Sequence, residues 1–228
     1  MLAASLIFLG KGLAFSLVLF LCLRYPWWFP RKWHSLPVIM YHHVGQPVFS
    51  DPPTQKQRHE ELTFLDEEVF SAQLAKLKAM GFTFINLDDL AQPLPPKPIM
   101  LTFDDGHRDN FTKAWPILKQ FAAKATIFLA TDYIGTDPTF LTWEQVQELD
   151  QSPLITFGSH SCSHTRLRQL SMEQIQHELR ASKKVIEEHL GHPINAFAYP
   201  YGSGAYKKNI RAAVLAAGSP PEVLLPVK

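Results

Sequence analysis

The sequence of 228 residues contains few cysteines and carries almost no net charge. Its two cysteines, Cys22 and Cys162, are too few for a disulfide framework, and we do not expect them to pair because Cys22 lies in an apolar leader. The formal charge is +1 and no basic run is present, so nothing points to nucleic acid. No internal repeat or low-complexity tract occurs. The length predicts one domain of ordinary size with an appendage.

The appendage is an apolar segment at the N-terminus. Residues 2–23 are long enough to span a bilayer, and Lys11 is the charged residue among them. Three tryptophans follow, at the place of an interfacial aromatic belt: Trp27, Trp28 and Trp33. Because no small-x-small cleavage site precedes Arg24, residues 1–33 predict an uncleaved signal anchor, with a removed signal peptide as the alternative.

Residues 34–228 show the alternation of strands and helices that is typical of an α/β domain. Short apolar runs recur between segments with helical spacing, among them one helix that begins at Asp66 and another with a cap at Ser171. This rhythm predicts a parallel sheet or barrel. The predicted strands cover residues 36–41, 82–87, 99–103, 125–130, 154–158 and 195–199.

The predicted strand at 99–103 ends in two adjacent carboxylates and a glycine, Asp104-Asp105-Gly106. Side chains alternate between the faces of a strand, so two consecutive acids can take different roles at the carboxyl end of a parallel sheet, where α/β sites are built. Gly106 permits a sharp turn into the helical segment that follows. Taken alone, the same three residues are also typical of a polar turn.

The predicted strand at 154–158 leads to two histidines four residues apart, His160 and His164. Imidazole is a good zinc ligand and a carboxylate can complete the set, so this pair is a candidate metal site. Two solvated histidines in a polar loop are the alternative. The presence of an Asp-Asp pair at one strand end and a His-x-x-x-His pair at another favours the metal site.

Two motifs, Thr-Phe-Asp-Asp-Gly at 102–106 and His-Ser-Cys-Ser-His at 160–164, resemble those of the polysaccharide deacetylase family (NodB-homology domain, carbohydrate esterase family 4). Segments 141–146 and 197–202 match the family as well. The resemblance implies an α/β fold of the distorted (β/α) barrel type and a divalent metal, zinc with cobalt or nickel as alternatives. It also implies hydrolysis of N-acetyl groups on an N-acetylglucosamine-containing polysaccharide, with release of acetate.

Three other functions stay open at this point. One is a deacetylase-like protein that binds glycan or metal without turnover. Another is an esterase that removes O-acetyl groups from a polysaccharide, since the chemistry is the same at an ester. The third, from a different class, is a membrane-anchored scaffold in which the histidines are incidental.

The resemblance also assigns the metal and the proton transfers. It implies that Asp105, His160 and His164 hold the metal and that Asp104 is the general base. The segment Tyr-His-His-Val at 41–44 matches a circularly permuted branch of the family that includes poly-N-acetylglucosamine deacetylases. That match makes His42 the general acid.

The remaining site residues are implied in the same way. The backbone N–H of Tyr201 would donate to the oxyanion, which is often a large catalytic contribution. Substrate contacts are expected from Tyr201, Pro200 and His43. One departure concerns Ala198, which stands where the family has an arginine that braces the base.

The C-terminus and the location complete the expectations. Residues 219–228 resemble neither strand nor helix, so we expect the barrel to be incomplete there. The resemblance implies a catalytic domain outside the cytoplasm, held at the cell membrane by the anchor. Three basic residues after the apolar segment would by themselves favour the opposite orientation: Arg24, Arg31 and Lys32.

Overall fold

A parallel β-sheet forms the centre of the fold. The computed structural model describes residues 36–47 and 63–218 and the backbone of residues 224–225. The predicted signal anchor, residues 1–33, lies outside the described residues. In the part of the chain that is described, no helix is both long and apolar enough to cross a membrane. The described residues from Pro37 onward belong to one compact unit.

The described residues contain nine short strands. In chain order they are β1 (Val38–Tyr41), β2 (His43–Val44), β3 (Phe64–Leu65), β4 (Thr83–Ile85), β5 (Pro98–Phe103), β6 (Ala125–Leu129), β7 (Ile155–Ser159), β8 (Phe197–Ala198) and β9 (Leu224–Leu225). One sheet has the order β1-β5-β6-β7-β8-β9, with β4 paired to the first half of β5. The strands β2 and β3 form a separate pair. All of these pairings are parallel.

The large sheet is a curled half-barrel. Among the described strands, β1 and β9 lie at the two ends of the order and do not pair with each other. The predicted α/β fold with a parallel sheet is therefore confirmed, in the form of a half-barrel. The prediction that residues 219–228 contain no strand is wrong, because Leu224–Leu225 pair with Phe197–Ala198. A strand of two residues has no pattern of its own, and its pairing comes from β8.

Five α-helices connect the described strands and pack on one face of the sheet. They are α1 (Glu67–Ala79), α2 (Trp115–Phe121), α3 (Trp143–Asp150), α4 (Met172–Leu190) and α5 (Lys208–Ala216). The predicted helix starts are confirmed at two caps. Asp66 accepts hydrogen bonds from the N–H groups of Glu68 and Val69. Ser171 and Gln174 form a reciprocal capping box at the start of α4.

The face of the sheet covered by helices carries the main hydrophobic core. Alternate residues of a strand point to the same face, so every second residue of β5, β6 and β7 contributes to it. Buried side chains of α1, α2 and α3 pack against them. The core residues of the three strands are Ile99, Leu101, Phe103, Ala125, Ile127, Leu129, Ile155 and Phe157.

The opposite face of the sheet carries smaller and more polar side chains. The hydroxyls of Thr126 and Thr156 lie 2.9 Å apart on neighbouring strands. Above them, Phe128 lies so close to Gly158 that a Cβ on the glycine would come within 2.4 Å of the phenyl ring. Such a contact is far below van der Waals separation, so the space at residue 158 admits only glycine. The same alternation carries the next residues of this face to the carboxyl ends of β5 and β7.

Candidate metal centre and catalytic site

The predicted site residues follow the carboxyl ends of parallel strands. Asp104 and Asp105 follow β5, His160 follows β7, Tyr201 lies just beyond β8, and His42 lies between β1 and β2. Parallel strands end at the same edge of a sheet, and this is where the side chains are collected. The edge therefore brings together residues that are far apart in the sequence.

Asp105, His160 and His164 form a cluster with the spacing of metal ligands. Their ligand atoms all lie within 4.8 Å of one another. Asp105 Oδ1 is 3.4 Å from His160 Nε2 and 3.1 Å from His164 Nε2. Nevertheless Oδ1 is buried and has no hydrogen-bond partner among the described residues. A carboxylate oxygen and two imidazole nitrogens of this kind fit a divalent ion such as zinc, with a position left for substrate.

The charge state of Asp105 also suits a metal ligand. Burial by itself would raise the pKa of this carboxyl. The hydrogen bond with His107 and the nearby imidazoles of His160 and His164 outweigh burial and hold the pKa well below its usual range. Asp105 is therefore an anion at neutral pH. A buried anion whose Oδ1 accepts no hydrogen bond attracts a cation.

His160 is oriented by the backbone of β8. Its Nδ1 donates a hydrogen bond to the carbonyl oxygen of Ala198 over 2.9 Å, which directs Nε2 towards Asp105. Burial lowers the pKa of His160 to about 4, so the imidazole is neutral, as metal ligation requires. Ala198, predicted as a departure from the family pattern, thus contributes to the centre through its carbonyl group.

The loop between the two histidines has an unusual backbone. Ser161 (φ 67°) and His164 (φ 55°) both lie in the left-handed region, which residues other than glycine rarely adopt. The His164 N–H donates to Ser161 Oγ over 3.1 Å, and the Ser161 N–H donates to Ser159 Oγ over 3.2 Å. Left-handed residues of this kind often mark functional sites where the surroundings enforce the conformation.

Glu178 of α4 forms hydrogen bonds with the same loop. Its carboxylate accepts hydrogen bonds from the N–H of Cys162 (2.8 Å), the N–H of Ser163 (3.0 Å) and the Ser163 hydroxyl (2.7 Å). Hydrogen bonds to an ionised group are stronger than those between neutral groups. One side chain therefore satisfies two backbone donors in the loop between the predicted ligands.

We expect Glu178→Ala to lower the free energy of unfolding by about 2–3 kcal/mol, because it leaves two N–H groups in a partly buried loop without their acceptor. Urea-induced unfolding followed by circular dichroism measures the change. Glu188→Ala on the same helix is the matched control. In the part of the chain that the structure describes, Glu188 makes an exposed pair with Lys184 at 3.6 Å, which contributes about 0–1 kcal/mol. Equal stabilities of the two variants would contradict the role of Glu178.

Asp104 is in a different environment from its neighbour. Its side chain is only 3% exposed, and its backbone N–H donates to the carbonyl of Tyr41 on β1. Burial, together with the charge of Asp105, raises the pKa of Asp104 to about 8. The surroundings thus raise the pKa of one carboxyl and lower the pKa of its neighbour, which is a common arrangement at catalytic sites.

A tight turn begins at the second of the two aspartates. Asp105 (φ 75°) and Gly106 (φ 82°) are both left-handed. A Cβ on Gly106 would lie 2.8 Å from Leu129 and 2.9 Å from Ile134, so the turn leaves no room for a side chain. The chain turns sharply here and brings the His107 ring within 3.3 Å of the Asp105 carboxylate. The predicted sharp turn at Gly106 is confirmed.

His42 and His43 point to different surroundings. Burial lowers the pKa of His42, while the charge of Asp105 raises it, so His42 lies within electrostatic range of the centre. His43 is instead stacked between Phe64 (centroids 3.9 Å apart) and His107 (3.6 Å), and its Nδ1 is 2.6 Å from Asp109 Oδ2. The His43 ring is therefore largely enclosed. The substrate contact expected from His43 stays a prediction.

Pro200 and Tyr201 also differ in accessibility. Pro200 is buried, so any influence on substrate acts through the position of the next residue. Tyr201 is 56% exposed and left-handed (φ 56°). Its ring lies 4.5 Å from the ring of His164, and the guanidinium of Arg166 lies 4.1 Å from its centroid. An exposed aromatic surface therefore adjoins the predicted metal ligands.

Several site residues were absent from the sequence-based prediction. His107, Asp109 and Asn110 belong to the polar run directly after Gly106, and that run is a pattern that could have identified them. The Asn110 side chain donates to the carbonyl oxygen of His42 over 2.8 Å. Glu178 had no such pattern, because its partners lie 15 and 16 residues away in the sequence.

The sequence profile of the polysaccharide deacetylase family matches residues 91–221. The chain belongs to this family. The matched range contains the three residues of the metal-ligand cluster and Asp104, whereas His42 and His43 precede it.

Other members of the polysaccharide deacetylase family are similar over much of the chain. YxkH of Bacillus subtilis, whose name places it in this family, is 30% identical over 178 residues, or 77% of this chain and 60% of YxkH. The poly-β-1,6-N-acetyl-D-glucosamine N-deacetylase of Staphylococcus epidermidis is 25% identical over 153 residues, or 60% of this chain and 53% of that relative. This chain thus spans between about half and three fifths of the length of these relatives.

A solved structure of the same class shares the fold. The Streptococcus pyogenes deacetylase PplD, determined in complex with acetate, has a TM-score of 0.70 and 27% sequence identity with this chain. The similarity covers 80% of each of the two chains. The half-barrel described above is therefore an arrangement found in an experimentally determined deacetylase.

Proposed function

We propose that the protein hydrolyses N-acetyl groups of an N-acetylglucosamine-containing polysaccharide in a metal-dependent reaction that releases acetate. One observation carries the proposal. The cluster of Asp105, His160 and His164 lies at the carboxyl edge of the sheet, directly beside the buried carboxyl of Asp104. Burial raises the pKa of Asp104 to about 8, and a cation held by the cluster would lower this pKa again, so that the carboxyl is ionised and can accept a proton during amide hydrolysis.

Each residue has a defined part in the reaction. A divalent ion held by the cluster, zinc with cobalt or nickel as alternatives, would supply a Lewis acid for the acetyl carbonyl. Asp104 accepts a proton from the water that attacks the carbonyl carbon. The N–H of Tyr201 donates to the oxygen on which negative charge develops. His42, in its protonated form, gives a proton to the sugar nitrogen as the C–N bond breaks, so that acetate and a free amine are formed.

Two observations support this substrate class. The staphylococcal relative is named for its action on poly-β-1,6-N-acetyl-D-glucosamine. In this chain, the exposed ring of Tyr201 beside His164 offers a flat apolar surface of the type on which sugar rings pack. The guanidinium of Arg166 over that ring adds hydrogen-bond donors for sugar hydroxyls.

The test is acetate release by the full chain from β-1,6-linked N-acetylglucosamine oligomers. We expect acetate to appear with added zinc or cobalt and to disappear after chelation. Acetylated xylan oligomers, assayed in parallel, detect an O-acetyl esterase instead. Oligomers that bind without any release of acetate would contradict the proposal and favour the glycan-binding alternative, which is motivated by Ala198 at the position of the family's arginine.

A further inference from the structure

His107 lies beside the predicted metal ligand Asp105. Its Nε2 is 3.3 Å from Asp105 Oδ2, whereas Oδ1 of the same carboxylate faces His160 and His164. The two oxygens of Asp105 thus face different imidazoles. His107 is only 8% exposed, so this contact is shielded from solvent.

Two aromatic side chains contact the His107 ring. It is stacked on His43, with centroids 3.6 Å apart and an interplanar angle of 24°. The ring of Phe140 is tilted against it at 4.7 Å, and the backbones of residues 107 and 140 form a β-bridge. His43 is in turn fixed by Asp109, whose Oδ2 is 2.6 Å from its Nδ1. These contacts leave the His107 ring little freedom to turn away from Asp105.

The hydrogen bond has a defined direction. The carboxylate of Asp105 only accepts, so the proton of the shared hydrogen bond is on His107 Nε2. The other nitrogen, Nδ1, is buried and has no hydrogen-bond partner among the described residues. In the tautomer with the proton on Nε2, Nδ1 presents a lone pair and no N–H. A buried lone pair without a hydrogen bond destabilises the folded state less than a buried N–H group without one.

We propose that His107 is a positioning residue for the metal centre, which donates its Nε2–H to Asp105 Oδ2 and thereby keeps Oδ1 directed at His160 and His164. This inference rests on the metal site of the proposed function. A ligand carboxylate that is hydrogen-bonded on its outer oxygen is oriented before the ion arrives, so less order has to be imposed on binding. His107 thus strengthens metal binding without touching the ion.

The test compares two variants of nearly the same shape, His107→Gln and His107→Met. Both lose the ring and its stacking, but only Gln keeps an N–H that can reach Asp105. Metal-free full-length protein is titrated with zinc by calorimetry and with cobalt by absorption spectroscopy. We expect the Kd of His107→Met to rise by about 10–100-fold, and the Gln variant to recover most of the affinity and the cobalt spectrum of the wild type.

Two further variants separate the hydrogen bond from the stacking and from a general effect of losing an imidazole. His107→Phe keeps a ring in contact with His43 and Phe140 and should bind metal as weakly as the Met variant. His192→Phe removes a similar imidazole–carboxylate pair, with Asp150 at 2.8 Å, and should bind as the wild type does. Equal affinities of the Gln and Met variants would overturn the inference, since the hydrogen bond would then contribute nothing to metal binding. A wild-type chain that binds no metal would overturn both the inference and the metal site itself.

Discussion

Replacing Asp104 with asparagine should lower kcat for acetate release by about 10²–10⁴-fold, the usual contribution of a general base. Asparagine has the same shape but accepts no proton from water. Asp104 is a buried residue, 3% exposed, and burial raises its pKa to about 8, so the change to a neutral amide adds no buried charge. We therefore expect a folded variant. Initial rates on β-1,6-linked N-acetylglucosamine oligomers measure the effect.

The loss should occur without loss of metal. Asp104 is not one of the three clustered ligands, so the zinc Kd of Asp104→Asn should remain close to the wild-type value. The same substitution at Asp88, an exposed residue of the turn at Asp88–Ala91 before β5, is the control and should leave acetate release unchanged. Wild-type acetate release by Asp104→Asn would show that another group accepts the proton.

The second large effect is expected from Asp105→Asn, through the metal. Zinc bound by four protein ligands is held by about 10–16 kcal/mol, so loss of one charged ligand costs about 3 kcal/mol, or more than about 100-fold in Kd. Asparagine is the appropriate replacement because it tolerates the left-handed backbone of residue 105 (φ 75°), whereas alanine would add strain. Zinc titration and acetate release at limiting zinc measure the result.

The two aspartate variants therefore differ in which quantity falls. Asp104→Asn should bind metal and turn over slowly, whereas Asp105→Asn should bind metal weakly and recover part of its activity at high zinc. A folded Asp105→Asn protein with the zinc affinity and acetate release of the wild type would contradict the metal site. In that case the histidines would be incidental, and the chain would be better described as a scaffold.

Much of the fold was predictable because its strands carry local patterns. The strand from Pro98 to Phe103 is apolar except for Thr102 and is followed directly by charged residues, which is typical of a strand buried on both faces. The start of α4 at Ser171 was predictable because a cap is a property of a few adjacent residues. The strand β9 was not, because two residues, Leu224–Leu225, carry no periodicity and depend on β8.

The proximity of the two metal-ligand motifs was predictable, because the carboxyl ends of parallel strands meet at one edge of the sheet. The individual contacts within the site were not predictable. The position of His107 depends on consecutive left-handed residues, Asp105 and Gly106, at which the chain turns sharply. Sequence can flag the glycine but not the conformation of Asp105. The partner of His160 is a backbone carbonyl, that of Ala198, and a carbonyl is present whatever the side chain. The sequence pattern therefore carried no information about that contact.

The link between α4 and the histidine loop has a consequence for motion. Besides Glu178, the helix presents Ser182, whose hydroxyl lies 2.7 Å from that of Ser159 at the base of the loop. Surface loops usually open independently of the rest of the fold, at a small cost in free energy. This loop, in contrast, is hydrogen-bonded to a helix of 19 residues through both Glu178 and Ser182. The amide hydrogens of Cys162 and Ser163 should therefore exchange with solvent only when α4 undocks. In this sense the loop behaves as a rigid part of the helix, and the two histidines keep their separation through the local fluctuations that reshape ordinary loops.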